Sequence, residues 1–222
     1  MNDNLKSKRV LTYQDVKKVK KGKSDEPLVS VGQYNPTIIT CQDNTETQYY
    51  RNNDILIRDE LAKKLANINN SLRDGMHLKV VCGYRHPDIQ KQCFIKEKTK
   101  ILQQNPDISE EEANELTHVL IAVPDVAGHV VGGAIDLTII GKDEEALDMG
   151  TEIADFSQDD KIATYSDNLT ENQIKNRILL HDLMVSENFA PFYGEWWHFS
   201  YGDREWAAFY GHESAIYGEY IL

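Results

Sequence analysis

Residues 128–140 read GHVVGGAIDLTII, a glycine-led apolar run interrupted by one acid. A run this short, rich in β-branched residues, predicts a core strand rather than a helix. Asp136 is then a carboxylate inside a sheet, which is costly unless it is paired or bound to a metal. His129 lies seven residues before it, in the loop entering the strand. Residues 189–202, FAPFYGEWWHFSYG, read as further strands joined by a turn at Gly194. Glu195 and His198 are three residues apart, so an unbroken strand would point them to opposite faces. Their convergence requires a bend at Trp196-Trp197.

Working outward, HLKVVCGY at 77–84 predicts a second buried strand, and Pro87 just beyond it opens a helix to about Gln104. Arg85 therefore sits at a strand-to-helix junction. Ser109 with Glu112 forms a capping box for a helix that carries Ala113, Leu116, Leu120 and Ile121 inward. Ile55, Leu56, Leu61, Leu65 and Ile68 predict a helix from Asp54, stopped by Asp74-Gly75. Another begins at Thr170, carries Ile174, Ile178, Leu179, Leu183 and Val185, and ends near Asn188. LVSVGQY at 28–34 and PTIITC at 36–41 read as short strands in a polar, extended lead-in. Helices and strands in mixed order, with hairpin-like strands at the end, give an α+β class with a mainly antiparallel sheet flanked by helices, in one domain.

A formal charge of -12 over 222 residues repels phosphate backbones and anionic lipid, so neither nucleic acid nor a membrane surface is an expected partner. The lysines at 17, 18, 20, 21 and 23 form a local exception and read as a solvated tail. Cys41, Cys82 and Cys93 are odd in number and lack CxxC spacing, so they predict buried free thiols. With no apolar leader core in MNDNLKSKRVLTYQDVKK, the chain as given is expected in the cytoplasm, or in the periplasm if a leader has been trimmed.

His129, Asp136 and His198 are two imidazoles and a carboxylate, which can hold one zinc ion and leave a fourth position for water. Glu195, beside the last of them, is placed to act as general base. Arg85 is the candidate cation for an oxyanion.

GYRHPDIQ at 83–90, GHVVGGAIDLTI at 128–139, DMGTEIADF at 148–156 and EWWHFSYGD at 195–203 together resemble the zinc D-alanyl-D-alanine dipeptidases, the VanX-like group related to D,D-carboxypeptidases and the Hedgehog signalling domain. The resemblance implies a Hedgehog/D,D-peptidase-like fold, a polar segment at 1–26 and a zinc peptidase domain at 27–222. It implies zinc on His129, Asp136 and His198, Glu195 as base, and Arg85 stabilising the transition state. An acid after the Met-Gly step holds the substrate's ammonium group in that family, and Asp155 is the nearest match, one residue further from Met149-Gly150 than the pattern has it. Ala127 stands where the family has a serine.

The resulting expectation is a dipeptidase acting on D-alanyl-D-alanine or a related small D,D-dipeptide in cell-wall precursor metabolism or recycling. Three readings stand beside it: a D,D- or L,D-carboxypeptidase on longer stem peptides, a metal-stabilised binding module without catalysis, and a non-haem iron oxygenase built on the same donor types.

Overall fold

The computed structural model describes residues 9–41, 54–73 and 75–220. Residues 1–8 and 42–53 of the polar lead-in, and Asp74 of the expected helix stop, lie outside these. In chain order the elements are α1 (Tyr13–Lys17), β1 (Leu28–Ser30), α2 (Val31–Tyr34), β2 (Ile39–Thr40), β3 (Leu56–Arg58), α3 (Asp59–Ser71), β4 (His77–Cys82), α4 (Pro87–Gln104) and α5 (Glu110–His118). They continue with β5 (Ala134–Ile140), α6 (Asp159–Ile162), α7 (Glu171–Ser186), β6 (Ala190–Pro191), β7 (His198–Ser200) and α8 (Arg204–Tyr210).

The expected Asp136 strand is β5, at the centre of a five-stranded sheet ordered β2-β4-β5-β7-β6. Only the β2–β4 pairing is parallel among these strands, and β1 and β3 form a separate antiparallel pair, so the class is α+β with a mainly antiparallel sheet. All seven residues of β5 are buried. Ile135, Leu137, Leu78, Val80, Leu61, Leu65, Leu180 and Trp197 belong to the main core. Truncating one such aliphatic residue to Ala would cost about 2–5 kcal/mol.

Local signals explain the helices. Pro87 begins α4, which ends at Gln104 as the spacing predicts, and His86 caps it by accepting from the Asp88 amide. Ser109 with Glu112, and Thr170 with Gln173, form reciprocal capping boxes at α5 and α7.

Four expectations are corrected. Residues 56–58, expected in a helix from Asp54, form β3 because they pair with β1, and the helix starts only at Asp59. The second half of LVSVGQY is the helical turn α2, capped by the Ser30 hydroxyl. Leu116 is exposed, and Thr117 and His118 turn inward with Ala113 instead. In α7, Ile174, Ile178 and Leu179 are exposed while Arg177, Leu180 and Met184 are buried. The side of α7 that packs inward is chosen by the hydrogen bonds of Arg177, which hydropathy alone cannot register.

The lysine-rich segment keeps its charges outward but is not a free tail. Its backbone pairs with the C-terminal stretch, Lys20 N–H donating to Glu213 O (3.0 Å) and Lys23 N–H to Ile216 O (3.1 Å). Val16 of α1 is buried against Phe94, Val123 and Val126. The three cysteines are thiols outside any disulfide, and they are half-buried rather than fully buried. No helix among the described residues is long and apolar enough to cross a membrane.

Candidate metal centre and active-site cleft

Strand register assembles the site. Asp136 on β5 lies opposite His198 on β7 and opposite Cys82 on β4. A shift in the β4 register between Val80 and Cys82 brings the sulfur to that position. Residues directly opposite in antiparallel strands project to the same face, so the sheet gathers all three side chains.

His129 arrives from a 3-10 turn, His129–Val131, closed by Gly132 at φ +70°. Gly128 in front of it is required by space, since a Cβ there would lie 1.9 Å from Asp203 Oδ2. The turn is fastened twice to the exit of β4. The Arg85 amide donates to His129 O (3.0 Å), and His129 Nδ1 lies 2.7 Å from Gly83 O. A carbonyl can only accept, so Nδ1 carries the hydrogen and Nε2 presents its lone pair.

That Nε2 stands 3.4 Å from Asp136 Oδ2, and His198 Nδ1 stands 2.9 Å from Asp136 Oδ1. The two imidazole rings are 5.0 Å apart at 71°. Burial works to raise the Asp136 carboxyl, but His129 and His198 beside it hold it far below the usual range. Burial likewise opposes charge on His198, yet the hydrogen bond and charge of Asp136 carry it up to about 9. His129 is raised well above its ordinary value, again against burial, by Cys82 and Asp136. Two imidazoles drawn toward positive charge around one buried carboxylate are what a donor set made for a cation does when protons stand in for it. The fit is good: the carboxylate is ionised, the His129 tautomer is fixed, and nitrogen and oxygen donors suit zinc.

Cys82 was not expected here. Donor atoms of Cys82, His129 and Asp136 lie within 4.8 Å of one another. Its sulfur is 3.8 Å from His129 Nδ1, the nitrogen already facing Gly83 O, so it flanks the ring on the side away from Nε2. Burial raises the thiol, but His129 and Arg85 bring it below its ordinary value.

The bend needed at Trp196-Trp197 is present. Glu195 N–H donates to Phe192 O (3.1 Å) and His198 N–H to Glu195 O (3.2 Å), closing two successive turns. Glu195 and His198 thereby line one cleft of about 440 Å³, together with His129, Asp136 and Arg85. Trp197 and Phe192 supply apolar wall, and Phe156 packs edge-on against Trp197. Burial pushes the Glu195 carboxyl up to about 8, with Asp136 and Glu205 adding to the effect.

Arg85 is held from two sides, Nη1 donating to Gln90 Oε1 (2.9 Å) and Nη2 to Cys82 Sγ (3.5 Å), while its buried Nε has no partner. Gln90, 1% exposed, is itself anchored by Nε2 donating to Ala122 O (2.7 Å).

Asp155 is not brought in. Its neighbours Ala154 and Phe156 line the cleft, but its own carboxylate accepts from Ser157 Oγ (2.5 Å) and Gln158 Nε2 (2.9 Å) in a local turn. Ala127 faces a different cavity of about 320 Å³, bordered by Val130, Arg204 and Tyr217. Sequence reasoning missed Glu205, a buried acid of α8 in the same cleft, because nothing in its spacing relates it to the other candidate residues.

Residues 34–215 match the family described as D-ala-D-ala dipeptidase. A D-alanyl-D-alanine dipeptidase of Synechocystis sp. is 34% identical over 89 residues, covering 36% of this chain and 36% of that protein, so the match spans about a third of the relative's length. Among solved structures, a zinc complex of the vancomycin resistance D,D-pentapeptidase VanY from a VanB-type cassette aligns at 16% identity and a TM-score of 0.43, covering 82% of this chain and 97% of that one. VanYB in complex with D-alanine-D-alanine aligns at 16% identity and a TM-score of 0.44, covering 79% and 92%. With the family match spanning most of its length, this chain belongs to the D-ala-D-ala dipeptidase family of peptidases.

Proposed function

We propose that this chain is a zinc-dependent peptidase that cleaves D-alanyl-D-alanine or a related small dipeptide in bacterial cell-wall precursor metabolism or recycling. The observation that carries the reading is the meeting of His129 Nε2, the Asp136 carboxylate and His198 Nδ1 in the cleft that Glu195 also lines. The family match and the name of the Synechocystis relative support the substrate class.

His129, Asp136 and His198 would hold one zinc ion, which supplies an acidified water, of pKa about 7, and a Lewis acid for the scissile carbonyl. Glu195 takes the proton of the attacking water and passes it to the leaving amine. Its burial favours the protonated form, which suits the second half of that task. Arg85, oriented by Gln90 and Cys82, directs its guanidinium at the oxygen on which negative charge develops. Trp197 and Phe192 keep bulk water from the reacting bond.

A second reading, carboxypeptidase action on longer stem peptides, is favoured by one feature. The cleft continues past the ligands to Lys96, Lys100 and Val119, giving more wall than two alanines use. Incubating the zinc-loaded protein with D-Ala-D-Ala, L-Ala-L-Ala and a stem pentapeptide, and detecting released alanine, separates the two. No turnover of any of them with zinc bound would overturn both.

A further inference from the structure

The turn that carries His129 is held from behind as well as from the cleft. Arg58, at the junction of β3 and α3, is 0% exposed. Its backbone N–H donates to Gly132 O (3.1 Å) and its Nε to Val131 O (2.7 Å), so one residue grips two successive carbonyls of the turn. The other guanidinium nitrogens reach away from the turn, Nη1 donating to Glu26 O and Nη2 to Gly218 O (2.9 Å). The rings of Tyr217 and Tyr220 lie against the guanidinium, 5.0 and 4.9 Å from it.

A buried charge is costly unless it is paired or fully hydrogen-bonded, and a methionine would fill this space without that cost. An apolar side chain has no donors to offer carbonyls on three separate segments. The guanidinium is planar and rigid, so its contacts at Val131, Glu26 and Gly218 fix one another's positions. The turn is thereby set against the segments before β1 and after α8, which are themselves joined by Gly218 N–H donating to Ser24 O (3.1 Å).

Of the three candidate metal donors, His129 alone needs such a hold. Asp136 and His198 are placed by strand register, whereas residues 129–131 form a 3-10 turn. On the cleft side the Arg85 amide and Gly83 O engage His129 directly. Behind the turn, the contacts of Arg58 take the place that a neighbouring strand has for the other two donors.

We infer that Arg58 is the positioning residue of the metal centre, setting through Val131 and Gly132 where the His129 imidazole stands. The inference rests on His129 as a zinc ligand and on no step of the peptidase chemistry.

Zinc affinity is measured by competition with a chromophoric chelator in the native chain, Arg58→Met, Arg58→Lys and Arg177→Met, under conditions where urea melts show each protein folded. Arg177→Met removes a second buried guanidinium that serves three carbonyls, and so controls for lost stability without a loosened turn. Lysine can reach the Glu26 and Gly218 carbonyls but has no donor at the Nε position. Arg58→Lys should therefore be more stable than Arg58→Met and bind zinc no better. Both Arg58 variants should lose about tenfold or more in zinc affinity, and Arg177→Met should match the native chain. In the metal-free proteins, hydrogen exchange should quicken in both Arg58 variants at the Arg85 amide, which donates to His129 O, and at the Gly133 amide, which donates to Gly128 O. The Leu137 amide on β5 should change only as global stability does. Native zinc affinity in Arg58→Lys would overturn the inference, even where Arg58→Met does not fold, and so would a loss in Arg177→Met equal to that of the Arg58 variants. If the native chain itself binds no zinc, the metal reading fails, and the exchange rates alone decide whether Arg58 holds the turn.

Discussion

Asp136 and His198 face one another across adjacent antiparallel strands, in register, with His198 Nδ1 2.9 Å from Asp136 Oδ1. Two of the three candidate donors are therefore fixed by the sheet itself. A slip of one residue between β5 and β7 would set Phe199 opposite Asp136 and turn the imidazole to the other face. Only His129 depends on a turn, and the Gly83 carbonyl fixes its ring. The donor set is thus shaped before any cation enters.

Asp136→Asn keeps the size of the side chain but removes the charge. Zinc affinity, measured by competition with a chromophoric chelator, should fall by more than about 100-fold, beyond the loss usual for groups that merely support a ligand. His129→Ala and His198→Ala should do the same, and Cys82→Ser should leave affinity unchanged. A comparable loss in Cys82→Ser with none in His198→Ala would transfer the third ligand position to the thiol.

Glu195→Gln should retain zinc and lower kcat by about 100- to 10,000-fold, the range of a lost general base. Activity near that of the native chain would remove Glu195 from the role. Its raised pKa also has a stability consequence in the metal-free protein. From about 4.5 to 8 the unfolded chain releases this proton and the folded one keeps it, so the native carboxyl costs stability as pH rises through that window. Metal-free Glu195→Gln should match the native chain in urea melts near pH 4 and exceed it at pH 8, by a few kcal/mol in order of magnitude. An equal difference at both pH values would refute the burial argument.

The strands and helix starts that position the site were legible because each rests on a local signal: the apolar run around Asp136, Pro87 before α4, and the reciprocal caps at Ser109 and Thr170. The meeting of Asp136 with the two imidazoles was legible because an acid inside AIDLTII is too costly to bury without a partner or a cation. What the sequence withheld depends on contacts between distant segments. Leu56 joins a strand because Ser30 pairs with it, α7 turns Arg177 inward because three carbonyls receive it, Cys82 meets His129 and Asp136 only through strand register, and Glu205 reaches the cleft only through the turn after β7. Asp155 shows the converse, a residue singled out by motif spacing whose side chain the local turn consumes.

Arg177 is 2% exposed and donates to Met149 O, Ala163 O and Lys161 O, each at 2.7 Å. It fastens to α7 the two ends of the segment that carries Ala154 and Phe156 into the cleft wall. Arg177→Met fills similar space but leaves three carbonyls without their donor. It should lower stability by about 3 kcal/mol or more and raise KM more than it lowers kcat, because the wall loosens while Asp136 and His198 stay on the sheet. A chemical melt and a steady-state titration check both parts, and unchanged KM in a destabilised variant would confine Arg177 to folding.

His118, at the end of α5, is 5% exposed, and its Nδ1 accepts from the Val123 amide (3.2 Å). An accepting nitrogen carries no hydrogen, so the folded state holds the neutral ring. Burial lowers its pKa to about 4, Asp125 opposing only in part. Below about 6.5 the unfolded chain takes up a proton that the folded chain refuses until about pH 4, so stability is fully present above 6.5 and is lost as pH falls through that window. The loss approaches about 3 kcal/mol at its low end. His118→Asn offers a carbonyl oxygen near the position of Nδ1 and does not titrate. In urea melts the native chain should equal or exceed this variant at pH 8 and fall behind it by about 2–3 kcal/mol, relative to that starting difference, at pH 4.5. A difference between the two proteins that does not change with pH would mean that His118 is protonated in the fold, and that the Val123 amide has another acceptor.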